Sequence, residues 1–266
     1  MDFPDKPRVI YGKNPLIEVS CQLRFPPILK IDVDVPANFQ EAIRSDFPLY
    51  ELKSQVKLPP NIPKEIAAAM ARDMPIALAG NKQHNFSSSD RNWNLKLSRD
   101  GLTLVCRKYE RWEAFKNHLE GPFKALIDNY QPAYFSHICL KYRDVIRRKS
   151  IGLGNSPWVE LLAPWICGAL SISTDETDVE STQTATVFSI QSNKAKVQAT
   201  YGLATEEPSK DRVFMIDAHL FTEPRTESSN AFNQLTTLNR QAGLFFRWCI
   251  TDKLHAALQP QSATNA

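Results

Sequence analysis

The chain has 266 residues, of which 42% are hydrophobic, and its 32 basic and 29 acidic side chains leave a formal net charge of +3. A chain of this length can bury roughly three quarters of its unfolded surface, so one large core or two fused cores are expected. The small net charge excludes long-range attraction to nucleic acid or anionic lipid as a property of the whole molecule. Any basic patch must therefore be local.

The sequence predicts a cytoplasmic protein without a membrane segment. Its first residues lack the basic start and the apolar run of a secretory signal. The most apolar stretch, residues 158–170, is shorter than the roughly twenty apolar residues that span a bilayer. The five cysteines are widely spaced and never form a Cys-x-x-Cys pair, so they are expected to be reduced packing residues.

A half-buried strand is predicted near the start of the chain. Apolar and polar residues alternate over residues 17–25, the period-two pattern of a strand with two different faces. The apolar set is Ile17, Val19, Cys21, Leu23 and Phe25, and the polar set is Glu18, Ser20, Gln22 and Arg24. Pro26-Pro27 ends the strand, because proline lacks an amide donor and restricts the residue before it.

Three helices and one hairpin are predicted between this strand and residue 130. A helix over residues 36–46 has Phe39, Ala42 and Ile43 on its apolar side. Residues 47–85 contain five prolines and are expected to be irregular, apart from a short helix at 63–70. Asp100-Gly101 predicts a hairpin turn.

In that hairpin, the predicted register places Leu97 opposite Leu104 and Leu95 opposite Cys106. A helix from residue 113 to 130 follows, with a kink or break at Gly121-Pro122.

The rest of the chain is expected to alternate between strands and helices. A strand is predicted at 135–146, a short helix near Pro157, a polar linker at 173–181, and strands at 184–191, 196–202 and 212–221. A last helix begins in the region of Ser228-Ser229 and continues to about Leu258. Its apolar stripe consists of Ala231, Leu235, Leu238, Ala242, Phe245 and Cys249.

The order of the elements indicates that the fold is built twice. Leu140-Lys141-Tyr142 matches Leu23-Arg24-Phe25 in residue types, and each half has a strand, a helix, meandering strands and a helix. We therefore predict an α+β fold of two related β-α-β-β-α halves, residues 1–132 and 133–266, that share one sheet or core. The sheet is expected to be mainly antiparallel, with helices packed mostly on one face.

The polar face of the predicted sheet is the candidate site. The candidate binding residues are Glu18, Gln22, Arg24, Lys96, Arg107, Lys141, Arg143, Asp217 and His219. Pairing across strands or plain solvation is the simplest interpretation of these charges. No residue is therefore assigned a catalytic role.

Metal binding receives little support from the sequence. Asp217 and His219, with His137 elsewhere, offer ligands from neighbouring strands, but no third ligand has a recognisable spacing. Metal sites need three or four ligands. The sequence therefore predicts neither a metal nor another cofactor.

Three binding or catalytic alternatives remain. Cations near Trp93 and Tyr109 fit a sheet that binds nucleic acid, although the small net charge opposes this. A hydrolase would need Glu18, Asp217 and His219 in one hydrogen-bonded network within a concave pocket. Protein binding would use large amphipathic side chains, although core packing explains most tryptophans. These side chains are Trp112, Trp158, Trp165 and Trp248.

Several motifs occur in a fixed order along nearly the whole chain. They are Asn14-Pro15-Leu16-Ile17-Glu18-Val19, residues 86–97, residues 109–115, Leu140-Lys141-Tyr142-Arg143, Ile216-Asp217 and Ile250-Thr251-Asp252-Lys253-Leu254. This order resembles that of an uncharacterised family of sporadically distributed bacterial proteins. The chain departs from the family pattern at His219, where an acidic residue is expected, and at Lys141, which replaces arginine.

The resemblance implies a bacterial cytosolic protein of patchy occurrence, as is common for mobile, phage-defence or toxin-linked genes. We predict a non-enzymatic binding or regulatory module. The resemblance further implies an accessory role in a phage-defence or toxin-linked system. Its expected partner is a protein or a second copy of the chain. Nucleic-acid binding on the sheet and hydrolysis are the alternatives.

Overall fold

A computed structural model describes residues 2–54, 82–172, 179–191, 194–223 and 225–262 of the protein. The strands in these residues are β1 (Val9–Tyr11), β2 (Leu16–Arg24), β3 (Leu49–Ser54), β4 (Lys82–Ser87), β5 (Trp93–Ser98), β6 (Gly101–Cys106), β7 (His137–Ile146), β8 (Thr184–Ile190), β9 (Ala195–Glu206), β10 (Asp211–Thr222) and β11 (Pro260–Ser262). The α-helices are α1 (Lys30–Val33), α2 (Ala37–Ile43), α3 (Trp112–Tyr130), α4 (Trp158–Leu161), α5 (Pro164–Cys167), α6 (Ala231–Cys249) and α7 (Asp252–Ala257).

Nine strands form one antiparallel sheet in the order β3-β4-β5-β6-β2-β7-β10-β9-β8, and β1 pairs separately with β11. The predicted α+β fold with a mainly antiparallel sheet is therefore confirmed. Within the described residues, no helix is both long and apolar enough to cross a membrane.

Alternation along the central strands gives the sheet two different faces. We call one the helix face, which carries the paired residues Val19 and Tyr142. The other, the polar face, carries Glu18 and Asp217, both opposite Arg143. The strand predicted at 17–25 is confirmed as β2, with Val19 fully buried.

The long helices α3 and α6 pack on the helix face. The apolar stripe predicted for the last helix is confirmed, because all six of its members are buried. On α3, Phe115, Leu119 and Leu126 are buried in the same way. Each buried Leu or Phe of the two stripes contributes roughly 1.5–3 kcal/mol, so the stripes explain why both helices lie on the sheet.

The element order is the same on both sides of the β2–β7 pair. β2 pairs with β6, the last strand of a meander that precedes α3, and β7 pairs with β10, the last strand of a meander that precedes α6. Both long helices contain 19 residues. This correspondence is what the predicted repeat requires, while the duplication itself stays a prediction.

The hairpin between β5 and β6 differs from the prediction in its register. Ser98 pairs with Gly101, so Arg99 and Asp100 form the turn. The Ser98 hydroxyl donates to the Asp100 carboxylate at 2.9 Å, and the Ile28 amide donates to the Arg99 carbonyl at 2.7 Å. These bonds fix the turn one residue earlier than the Asp-Gly rule predicts.

The predicted helix boundaries need three corrections. The helix predicted at 36–46 is the shorter α2, and Ala42 is exposed on it. The break predicted at Gly121-Pro122 is absent, because α3 continues through both residues while Pro122 is buried. Pro122 removes one helical hydrogen bond, and its burial in the apolar stripe offsets this loss.

The last helix ends earlier than predicted. It stops at Cys249, because Ile250 is extended and forms a β-bridge with Leu162. The Thr251 side chain then accepts the Leu254 amide and begins α7.

The proline-rich stretch is not irregular throughout. It contains β3 at its start and β4 near its end, and these strands pair with each other. The helix predicted at 63–70 and most of the linker predicted at 173–181 lie outside the described residues.

Candidate functional site

An ion-pair network lies at the centre of the polar face. Arg143 bridges two strands, because its guanidinium donates to Asp217 at 3.1 Å and lies 3.7 Å from the Glu18 carboxylate. Lys141 also pairs with Asp217, at 3.0 Å. The structure therefore brings four of the predicted site residues together, and it satisfies their charges mutually.

The other predicted site residues surround this network at increasing distance. His219 lies opposite Lys141 on β10, and Gln22 and Arg24 lie on β2 of the same face. Lys96 is on β5, four strands from Asp217, which corresponds to about 19 Å. Arg107 is exposed beyond the end of β6. Lys96 and Arg107 are thus not part of the network.

The aromatic residues that would stack on nucleic-acid bases lie on the other side of the sheet. Trp93 stacks on His118 of α3, with ring centroids 4.0 Å apart, and Tyr109 packs edge-to-face on Tyr142. The four tryptophans of the protein-binding hypothesis also pack in or against the core. The polar face therefore does not combine these aromatic rings with its cations.

A second group of chemically reactive side chains lies beside the ion-pair network. His137 and Cys139 of β7 and His219 of β10 hold their nitrogen and sulfur atoms within 4.8 Å of one another. Burial lowers the pKa of both imidazoles and raises the pKa of the Cys139 thiol to about 11. At neutral pH, these three groups are therefore uncharged.

The helix face contains a cavity of about 750 Å³ between the sheet and α6. Its floor consists of Tyr142 and Asp144 on β7, next to Ile216 and Ala218 on β10. Gly243 of α6 lines the cavity, and a Cβ atom added there would meet nothing within 4 Å. Ala218 and Gly243 therefore add little or no side-chain volume to the cavity wall.

Residues 5–11, which we call the N-terminal strap, form the outer wall of the cavity. Phe3 anchors the strap at one end by packing on Phe245, with ring centroids 5.4 Å apart, and β1 anchors it at the other end by pairing with β11. Between the anchors, the Arg8 guanidinium donates to both oxygens of Glu113 at 2.7 and 2.9 Å. Three contacts therefore fix the strap against the rest of the protein.

Asp144 is the most unusual group in the cavity. It is only 5% exposed, and within the described residues its carboxyl forms no hydrogen bond or ion pair. Burial raises the pKa of this carboxyl to about 8, and the nearby Asp217 carboxylate raises it as well. Asp144 is thus mainly protonated at neutral pH, so it can donate a hydrogen bond into the cavity.

Three tyrosines add hydroxyl groups to the cavity wall. The Tyr142 hydroxyl donates to Asn239 Oδ1 at 2.9 Å, and the Tyr11 hydroxyl lies 2.8 Å from His255 Nδ1. Burial raises the pKa of Tyr11 to about 12 and raises the pKa of Tyr109 and Tyr142 as well. All three phenols are therefore neutral over the physiological range.

The sequence analysis predicted neither the cavity nor the proximity of Cys139 to His137 and His219. A signal for Asp144 was present, because it falls in phase with Leu140, Tyr142 and Ile146, which alternate toward the core. A carboxyl on an apolar strand face is costly unless it is neutral or paired. No comparable signal identified Asn239 or the strap, because their proximity depends on tertiary packing.

Comparison with known proteins does not assign a family. No protein-family model matches the chain, and no curated protein matches its sequence. The resemblance to the sporadically distributed bacterial family therefore stays a prediction.

Proposed function

We propose that this protein is a small-molecule-binding module whose ligand occupies the cavity between the sheet and α6. The observation that carries the proposal is the buried Asp144 carboxyl, which faces this cavity without a hydrogen-bond partner among the described residues. The carboxyl oxygens are not among the described side-chain atoms that are fully buried without a partner, so they keep some accessible surface toward the cavity. A ligand that hydrogen-bonds Asp144 would take the place of solvent at this group.

The size and lining of the cavity support an organic ligand. Its volume of about 750 Å³ falls within the roughly 300–1,000 Å³ of typical ligand sites. Leu16, Ile216 and Phe246 provide apolar surface, whereas Asp144 and Tyr142 provide polar groups near the floor. We therefore expect a largely apolar molecule with one hydrogen-bonding end.

Charges at the rim also bear on the ligand. Lys6, Arg111 and Glu110 line the cavity without an ion pair in the described part of the chain, whereas Arg240 pairs with Asp5 at 3.0 Å. With Asp144 protonated, the rim is mildly basic. An uncharged or singly anionic molecule thus fits the cavity better than a cation does.

The apolar anion 1-anilinonaphthalene-8-sulfonate provides a direct test of the cavity. Its fluorescence should rise on binding to the full chain and should saturate at one molecule per chain. Gly243 is an exposed residue of the cavity lining, and a Cβ added there meets nothing within 4 Å, so we expect the phenylalanine of Gly243→Phe to narrow the cavity on its α6 side. We expect this variant to bind the dye at least about tenfold more weakly, a change of 1.4 kcal/mol or more.

Gly121→Phe is the matched control. Gly121 is also inside a 19-residue helix, an added Cβ there also meets nothing within 4 Å, and it does not line the cavity. This variant should bind the dye as the parent does. Dye binding that is absent from the parent, or equal in both phenylalanine variants, would contradict the proposal. Cooperative urea unfolding of each variant excludes dye binding by a partly folded state.

The wider role that we infer is regulatory, in the cytosol, with the ligand-bound chain recognised by a partner protein. Five buried, unbridged cysteines support a reducing compartment. Neither the partner nor a link to phage defence has direct support, and both stay predictions.

A further inference from the structure

We propose that His137, Cys139 and His219 on the polar face bind a thiophilic metal ion, with Zn²⁺ as the principal candidate. Among the described residues, their two imidazole nitrogens and one sulfur lie within 4.8 Å of one another. Tetrahedral zinc bonds place ligand atoms about 3.3–3.6 Å apart. Small side-chain rotations can therefore close the site around an ion.

The backbone positions these ligands rigidly. His137 and Cys139 are two residues apart on β7, so they point to the same face. His219 lies on the neighbouring strand β10, opposite Lys141 and diagonal to Cys139. Because β7 is paired on both edges, by β2 and β10, the strands hold the three side chains at fixed spacing.

The donor set selects the class of ion. Two neutral imidazoles and a thiolate suit Zn²⁺ and Cu⁺, whereas Mg²⁺ and Ca²⁺ prefer oxygen ligands. Binding converts the Cys139 thiol to a thiolate and releases its proton to solvent. Three protein ligands leave a fourth position for water or another molecule, as in catalytic rather than structural zinc sites.

The surrounding charges permit a cation at this position. Lys141 is compensated by Asp217, and Lys196 pairs with Glu223 at 2.8 Å near the same end of the sheet. Arg24, opposite His137, is exposed, so solvent screens its repulsion. The thiolate formed on binding cancels one further positive charge.

Co²⁺ titration of the chelator-treated full chain tests the site, because a cobalt–thiolate bond gives a charge-transfer absorption band. We expect one Co²⁺ per chain, displaced by Zn²⁺. Cys139→Ser should abolish the band. His219→Ala removes a direct ligand, so it should weaken Zn²⁺ binding by more than the roughly 10–100-fold that loss of a residue supporting a ligand costs. At the same Zn²⁺ concentration, the rise in unfolding temperature should be largest for the parent and smaller for both ligand variants.

Matched controls separate ligation from general damage. Cys167→Ser changes another buried cysteine, and His118→Ala changes a histidine on α3, away from the polar face. Both should retain the cobalt band. The two ligand variants lie on different strands, so the test does not depend on one variant that fails to fold. Far-ultraviolet circular dichroism shows whether each variant keeps the secondary structure of the parent.

A second arm under reducing conditions uses Cu⁺ in competition with a chromophoric chelator. Binding of Cu⁺ without Zn²⁺ would support the site and identify copper as its occupant. If the parent binds neither ion, or if Cys139→Ser retains the cobalt band, the proposal is wrong. The cavity lies on the opposite face of the sheet, so neither result bears on the proposal that the cavity binds a small molecule.

Discussion

The two faces of the central sheet accommodate charge in opposite ways. On the polar face, Arg143 is shared by the carboxylates of Glu18 and Asp217, so full charges remain and compensate one another. On the helix face, Asp144 has no such partner in the described part of the chain, and burial keeps its carboxyl mainly neutral. Arg143 and Asp144 are adjacent in sequence, so the alternation of side chains along β7 alone places one on the polar face and the other on the helix face.

This difference indicates where new partners can bind. Charges on the polar face already stabilise one another, so that face offers neutral donors to a ligand, namely the imidazoles and the thiol of the proposed metal site. The helix face instead retains the Asp144 carboxyl, which lacks a protein partner among the described residues. The two faces are therefore suited to different ligands, a soft metal ion and an organic molecule.

Asp144→Asn should produce the largest change in stability. The carboxyl pKa is about 8 in the folded chain against an ordinary 3.8, so the unfolded state ionises first as pH rises. Stability therefore falls between about pH 4 and pH 8 and then stays level. At 1.36 kcal/mol per pKa unit, removing this titration should stabilise the variant relative to the parent by several kcal/mol above pH 8, on the order of 4–7 kcal/mol.

Urea unfolding at pH 6 and pH 9 measures this effect. Between these values, the parent should lose roughly 2–3 kcal/mol more than Asp144→Asn does. On the helix face, Tyr11, Tyr142 and Cys249 lie around Asp144, and burial raises the pKa of each, so they stay protonated over this range. The nearby Asp217 keeps its ion pairs with Lys141 and Arg143 in both proteins. Asp128→Asn, on the exposed surface of α3, should follow the parent. Parallel pH curves for the parent and Asp144→Asn would refute the assignment.

Phe3→Ala tests whether the strap depends on its anchor. Phe3 is buried against Phe245 and Trp248, so its truncation should cost about 2–4 kcal/mol and should weaken dye binding. On the polar face, the less buried Phe221 provides the comparison. Phe221→Ala should cost about 1 kcal/mol and leave dye binding unchanged. If Phe3→Ala and Phe221→Ala change the affinity for the dye equally, the strap does not depend on Phe3.

Arg143→Met tests the ion-pair network of the polar face. The substitution keeps most of the side-chain volume and leaves Glu18 without its partner, while Lys141 still pairs with Asp217. We expect a loss of about 1–2 kcal/mol that shrinks in high salt, because the pairs are partly exposed. Arg107→Met, at an exposed position, should change stability by about 0.5 kcal/mol or less. Urea titrations at two salt concentrations compare the variants, and equal values for both would exclude a stabilising network.

The sequence was sufficient for elements whose pattern is local. The alternation in β2 and the stripe of α6 follow from side-chain periodicity, and both agree with the structure. The predicted hairpin register was wrong because the amide of Ile28, which is far from the turn in the sequence, donates to the Arg99 carbonyl. The end of α6 was wrong because Ile250 pairs with Leu162. Both errors come from tertiary contacts that periodicity does not contain.

The candidate site was predictable in part for the same reason. Glu18, Arg143 and Asp217 alternate outward on their strands, and the structure places them together. Cys139 was interpreted as a packing residue, and it is indeed buried, yet its thiol meets two imidazoles from different strand positions. Only the pairing of β7 with β10 brings His219 within reach. Strand partnership, and not residue type, was the missing information.

The smallest expected effects come from the glycines of the two long helices. Gly121→Ala and Gly243→Ala each place a methyl group in open space, and alanine restricts the unfolded chain more than glycine does. Each should therefore stabilise the protein by about 0.5–1 kcal/mol in urea unfolding. Only Gly243 lines the cavity, so only Gly243→Ala should also weaken dye binding, and by less than Gly243→Phe does. Weaker binding in a more stable protein would show that the cavity volume at Gly243 is maintained at a cost to helix stability. Unchanged binding in both alanine variants would place the dye away from α6.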